Sequence, residues 1–230
     1  MWGTILGIWA HPDDEAYLSG GLMAMARDAG HRVVCVTATR GELGTADPQR
    51  WPPRLLAAER TGELASCLAI LGVTEHHWLG YRDGQCAGVP AEEPVARLSE
   101  LIDEVRPDTV LTFGPDGQTG HPDHRAVGAW TAAAFGKAVP AGARLLLSAV
   151  TDGWARRWQA VNDAFDVFAN GFPVTVPQER LALDVQLPPP VLARKVRALA
   201  AQRTQTAGII GAMGLPQYTE WVREEAFVAP

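Results

Sequence analysis

Short unbroken apolar runs alternate along this chain with longer segments whose apolar positions recur every three or four residues. Thr4 to Trp9 is the first run, β-branched, bounded by Gly3 and a polar cluster, and it reads as a strand. From Tyr17 to Ala29, Leu18, Leu22, Met23, Met25 and Ala26 follow helical spacing, and Gly30 supplies a stop. Val33 to Thr39 lacks polar alternation, the pattern of a parallel strand covered on both faces. Arg54 to Leu71 predicts a helix with Leu64, Cys67, Leu68 and Leu71 as its stripe, ended by Gly72. His76 to Leu79 reads as a short strand, Pro94 to Val105 as a helix closed by Pro107, and Thr109 to Phe113 as a further strand. Pro122 opens a helix running to about Lys137, and Arg144 to Val150 forms another strand. Residues 151 to 187 lose the pattern and read as short β-like pieces, before a last helix from Val191 to about Thr204.

Strand and helix alternating four times predict βαβ units, hence a parallel sheet with right-handed crossovers. The expected fold class is α/β: a Rossmann-like parallel sheet sandwiched by helices, with a less regular C-terminal part. The 230 residues suit a single domain, with residues 1–150 as its core and residues 151–230 as pocket region and C-terminal helix.

Composition narrows the partners. A formal charge of −6 offers no basic footprint for nucleic acid or an anionic membrane. No apolar run approaches the roughly 18 residues of a membrane span, and no basic region precedes the first run as in a signal peptide. Cys35, Cys67 and Cys86 are odd in number and form no C-x-x-C pair, so a reducing cytoplasm is the expected compartment.

The chemistry gathers in two places. Ala10-His11-Pro12-Asp13-Asp14-Glu15 follows the first strand, and Gly120-His121-Pro122-Asp123-His124 follows the strand ending at Phe113. Open α/β sheets bind ligands at the carboxyl ends of their strands, so the two clusters can meet. Imidazole and carboxylate together suit a zinc-type ion with an open position. Successive side chains diverge, so one of Asp13 and Asp14 can bind a metal while the other faces water. His121 and His124 share one side of a helix start, one as ligand and one as proton donor. Either cluster alone is commonly surface decoration; the pair, each after a predicted central strand, reads as a site. His31, His76 and His77 read as structural.

These motifs resemble the PIG-L/LmbE family of zinc-dependent N-acetylglucosamine-type deacetylases. Gly20-Gly21, Thr39 to Gly44, Arg60, Glu63-Leu64, Leu71-Gly72-Val73, Arg82-Asp83-Gly84, Lys195, Leu199 and Thr204-Gln205 extend the likeness over most of the chain. The resemblance implies His11, Asp14 and His124 as metal ligands and Asp13 as general base. It implies His121 as oxyanion stabiliser and acid, with Asp123 orienting it. The implied cofactor is Zn2+, with Fe2+ compatible with the same donors. The implied reaction removes an N-acyl group, most simply acetyl, from an amino sugar or its conjugate, with Arg60, Asp83 and Glu42 as substrate-binding residues.

Trp9, Trp154 and Trp158 suit either a core or a sugar-stacking surface. The chain departs from mycothiol-pathway deacetylases at Thr119, where those carry a tyrosine, and has Gln202 where the C-terminal helix often carries histidine. A nucleotide-binding oxidoreductase is disfavoured because no G-x-G-x-x-G turn follows the first strand. A two-metal phosphoesterase would need more bridging carboxylates. An amidase of a sugar–thiol conjugate on the same site, or a non-catalytic metal- or sugar-binding module, are the competing readings. The expected partner is a small molecule, and a homo-oligomer is compatible with the sequence.

Overall fold

The computed structural model describes residues 2–138 and 141–230. Its nine strands among the described residues are β1 (Ile5–Trp9), β2 (Val33–Thr37), β3 (Glu75–Trp78), β4 (Thr109–Phe113), β5 (Arg144–Ser148), β6 (Val150–Thr151), β7 (Thr175–Val176), β8 (Leu183–Gln186) and β9 (Glu224–Val228). The helices are α1 (Asp14–Asp28), α2 (Pro53–Leu71), α3 (Glu92–Val105), α4 (Pro122–Ala138), α5 (Asp152–Ala164), α6 (Pro189–Ala201), α7 (Arg203–Met213) and α8 (Leu215–Trp221).

One seven-stranded sheet in the order β3-β2-β1-β4-β5-β9-β8 carries the fold, with β3 to β5 parallel and β9 and β8 antiparallel at one edge. Every residue of β1, β2 and β4 is buried, as their unbroken apolar runs require for strands covered on both faces. Right-handed crossovers place α1 and α2 on one face and α3 and α4 on the other; α6 packs against α1 and α2. The strand order reverses between β1 and β4, so their carboxyl ends border the crevice where doubly wound sheets bind ligands. Both chemical clusters sit there because they follow these two strands.

Three expectations are corrected. The first helix begins at Asp14, three residues before the apolar periodicity, because the Asp13 carbonyl already accepts the N–H groups of Ala16 and Tyr17. The stretch expected as short β-like pieces contains α5, whose N-cap Thr151 accepts the Trp154 N–H through its side chain. The last predicted helix breaks at Gln202, and α7, α8 and β9 follow, so the parallel sheet gains an antiparallel edge.

That edge is tied to the core by one buried ion pair. Glu225 of β9 and Lys195 of α6 are 2% and 0% exposed, and Nζ lies 2.8 Å from Oε1. The same carboxylate accepts the N–H groups of Gly21 and Leu22 in α1, and Lys195 Nζ also donates to the Tyr17 carbonyl. At Gly21 a Cβ would stand 2.2 Å from Leu187 Cδ2, so the close approach of α1 to this edge needs glycine. Burial depresses the Lys195 ammonium, and Glu225 opposes that effect. Removing one partner leaves an uncompensated buried charge, so Lys195→Met is expected to lower unfolding free energy by about 3–5 kcal/mol, measured by urea denaturation. A loss below about 1 kcal/mol would show that the edge is held by packing alone.

Candidate metal centre and its cavity

Local geometry aims the first cluster. Asp14 Oδ2 accepts the His11 backbone N–H at 2.8 Å, folding the motif back on itself, while Asp14 and Glu15 occupy the favourable first turn of α1. Just before them Asp13 holds φ at 118°, a strained conformation for a non-glycine residue, and such strain concentrates at functional sites. Arg60 keeps it there. Its guanidinium donates to the carbonyls of Pro12 and Gly41 and stands 3.3 Å from Asp13 Oδ2. A Cβ on Gly41, whose φ is +63°, would lie 2.1 Å from Arg60 Nη1, so the loop can wrap the guanidinium only with glycine there.

The second cluster is set by the start of α4, with Pro122 and Asp123 in its first turn. His124 stacks on Phe113, the last residue of β4, with ring centroids 4.2 Å apart and planes 15° apart. Phe113 meets Trp9, the last residue of β1, edge to face at 5.2 Å. The two strand ends thus build an aromatic floor under the imidazoles.

Proton assignments follow from the partners. His124 Nδ1 lies 3.1 Å from the Gly117 carbonyl, which only accepts, so Nδ1 carries the proton and Nε2 presents a lone pair. His11 Nε2 lies 3.1 Å from Asp83 Oδ1 and 3.3 Å from Asp123 Oδ2, so it carries a proton. His11 Nδ1 and His124 Nε2 are 3.1 Å apart. Asp14 adds Oδ1 at 3.4 Å from His124 Nε2 and Oδ2 at 3.7 Å from His11 Nδ1. Three electron-pair donors therefore converge in a site where His11, Asp14 and His124 are each under 10% exposed. A proton on His11 Nδ1 relieves the conflict at one contact; a divalent cation relieves it at all three. The donor set fits a metal, with carboxylates on the far nitrogen of His11 fixing its tautomer. His121 also has a ring nitrogen within 4.8 Å of ligand atoms of His11 and His124.

Without a cation in the site, a proton on His11 relieves part of this crowding. Burial disfavours charge on His11, but hydrogen bonds to Asp123 and Asp83 and the charge of Asp14 outweigh it and raise the imidazole to about 10. Burial lowers His124 to about 4. Asp13 is pushed up to about 7 by burial, against the pull of Arg60. Burial and the charge of His11 lower His121.

Asp123 is placed differently from expectation. Its carboxylate accepts from Gly84 N–H at 2.7 Å and Cys86 N–H at 3.0 Å and faces His11; only its backbone N–H reaches His121, donating to Nδ1 at 3.1 Å. Asp123 therefore positions His11 through its side chain and His121 through its main chain. Arg60 spends its Nη donors on Gly41, Pro12 and Asp13. Asp83 accepts from Leu43 N–H through Oδ2, and Glu42 Oε1 accepts from Asp83 N–H. These three residues brace the site, and none lines the adjoining cavity.

That cavity has a volume of about 380 Å³ and opens beside Asp13, Asp14 and His124. Ser148 Oγ and Gln118 Oε1, both buried without a hydrogen-bond partner, belong to residues of its wall. Trp154 lines the cavity, whereas Trp9 is fully enclosed and Trp158 is buried. Supporting groups to which motif reading gave no such role include Gly117, Thr119 (3.2 Å from His124 Nδ1) and Gln202, whose amide donates to Glu15 at 2.7 Å; the last two stood out in the sequence only as departures from related enzymes. The glycine-rich loop before His121 was the available signal for the first two.

A doubly wound α/β sheet with a buried histidine–carboxylate cluster at its switch point, fit for a divalent cation, defines the class. The chain belongs to the PIG-L family, described as GlcNAc-PI de-N-acetylase, whose pattern matches residues 6–135. It is 37% identical over 206 residues to the 1D-myo-inositol 2-acetamido-2-deoxy-alpha-D-glucopyranoside deacetylase of Kineococcus radiotolerans, covering 77% of this chain and 55% of that protein. The chain spans about half the length of the first curated relatives it matches. Among solved structures, a deacetylase triple mutant of the teicoplanin biosynthetic pathway superposes with a TM-score of 0.70 at 20% identity, over 98% of this chain and 97% of that one. The 4-carboxy-2-hydroxymuconate hydratase of Pseudomonas putida KT2440 superposes with a TM-score of 0.67 at 15% identity, over 99% and 95%. These likenesses show the shared fold.

Asp123→Asn is expected to weaken Zn2+ binding by about 10- to 100-fold, measured by competition with a chromogenic chelator, because the carboxylate on the far side of His11 is lost. Unchanged affinity in a folded variant would remove Asp123 from the support of the site.

Proposed function

We propose that this protein is a metal-dependent amide hydrolase that removes the N-acyl group from an N-acylated amino sugar or its conjugate. The products are a carboxylate and a free amine. The observation that carries the reading is the strained Asp13, held by Arg60 beside the converging donors of His11, Asp14 and His124. Those three residues would hold the ion, zinc or ferrous iron. When bound, it supplies Lewis acidity that polarises the acyl carbonyl and makes water nucleophilic near neutral pH.

The chain's own groups handle the protons. Asp13, whose carboxyl is pushed up by burial and held in place by Arg60, is positioned to take the proton of the attacking water. His121 Nδ1 accepts the Asp123 N–H, so in the neutral ring the proton sits on Nε2, where it can hydrogen-bond the carbonyl oxygen as negative charge develops there. The C–N bond breaks as the nitrogen gains the proton that Asp13 took from the water, and the acyl carbon keeps the oxygen of that water. Family membership supports the reaction class: the Kineococcus radiotolerans relative is named for deacetylating a 2-acetamido sugar. Thr119 replaces the tyrosine of mycothiol-pathway enzymes, which favours a different sugar conjugate here.

The test is amine release from N-acetylglucosamine, its inositol glycoside and related amides, after chelation and restoration of Zn2+ or Fe2+. Asp13→Ala is expected to lower kcat by about 10²- to 10⁴-fold while metal content stays unchanged. A protein that binds metal and cleaves no amide in the panel would be a binding module instead.

A further inference from the structure

The cavity beside Asp13 is larger and more apolar than an acetyl group requires. Trp154, Phe165, Val167, Phe168, Ile209 and Trp221 form much of its wall, and its volume is about 380 Å³. The two indoles have spent their polar edges elsewhere. Trp154 Nε1 donates to the Trp221 carbonyl at 3.2 Å, and Trp221 Nε1 donates to Asn162 Oδ1 at 3.1 Å. What they offer the cavity is apolar ring surface, fixed in place by those bonds. Trp154 and Trp221 stand 6.1 Å apart, and Phe168 meets Trp154 edge to face at 6.3 Å. Such a surface gains by removing hydrocarbon from water.

The position of the cavity indicates which part of the substrate enters. Asp13, Asp14 and His124 border it, whereas His121 does not. Of the two parts of an N-acylated amino sugar, the acyl part is the one that matches an apolar wall beginning beside Asp13, Asp14 and His124.

Resting on the amide-hydrolase reading above, we infer that this cavity receives the acyl part of the amide, and that the preferred acyl group is an apolar chain longer than acetyl.

The experiment compares N-acylglucosamines from acetyl through butyryl, hexanoyl and octanoyl. A second series of N-acetylglucosaminides carries alkyl chains of the same lengths at the anomeric carbon. Amine release by the metal-loaded protein is expected to rise in kcat/KM by roughly threefold to fourfold per buried methylene along the acyl series. The gain should reach at least about tenfold over acetyl, with none in the glycoside series. Trp154→Ala is expected to compress the hexanoyl-to-acetyl ratio toward one, and Ile209→Trp, which fills the same space from another helix, should do likewise. A ratio at or below one in wild type, or a gain confined to the glycosides, overturns the inference while leaving the hydrolase reading intact. If no amide is cleaved, the hydrolase reading fails, and calorimetry with the carboxylic acids decides the cavity. Octanoate binding more tightly than acetate, and weakened by Trp154→Ala, supports an acyl-chain site; equal binding overturns it.

Discussion

Negative charge and lone pairs crowded into a space with little water form the constraint on which this structure turns. Asp14, Asp83 and Asp123 surround His11, and His124 aims a lone pair at the same ring. Such a grouping is costly in a medium of low polarity unless a cation sits within it. Much of the surrounding architecture serves to keep the groups together. The Gly84 and Cys86 N–H groups hold Asp123, Leu43 N–H holds Asp83, and the Gly117 carbonyl holds His124. The loop residues thus bring backbone dipoles to a site whose charged groups come from strand ends.

Arg60 and Lys195 show the same economy on either side of the first helix. Both are buried cations: Arg60 meets the Pro12 and Gly41 carbonyls and the Asp13 carboxylate, and Lys195 meets the Tyr17 carbonyl and the Glu225 carboxylate. Arg60 aims Asp13 from within the site. Lys195 fixes the antiparallel edge against α1, and that edge carries Trp221, Glu224 and Ala226 to the cavity wall. The Asp13 loop and the cavity wall are therefore both joined to α1.

The fold by itself leaves the reaction open, since a hydratase and a deacetylase superpose on it about equally well. What distinguishes this chain is the particular arrangement of Asp13 and His121 around the metal-type donors. The apolar part of the cavity beside them is built largely by α5, α7 and the turn before β9, the elements that sequence patterning described least well.

The legible parts of the sequence were those where one physical rule acts alone. Strands β1, β2 and β4 are covered on both faces, so their residues had to be apolar without interruption, and β4 was bounded correctly at Thr109 and Phe113. The two motifs were legible because each follows such a strand, and the order of strands brings those ends together. Tertiary structure decided what depends on distant partners. Nothing local marks Glu225 as buried until Lys195 and two backbone N–H groups meet it, and α5 is seated by Trp158 packing inward with Trp154 and Val161 against the core. The Asp123 carboxylate found His11 instead of its neighbour His121, because Gly84 and Cys86, some forty residues away in sequence, fix its direction. Sequence determined which groups would gather at the switch point, through local periodicity and covalent adjacency. Only the folded chain determined which nitrogen faces which oxygen, because hydrogen-bond direction is set by neighbours that sequence separation conceals.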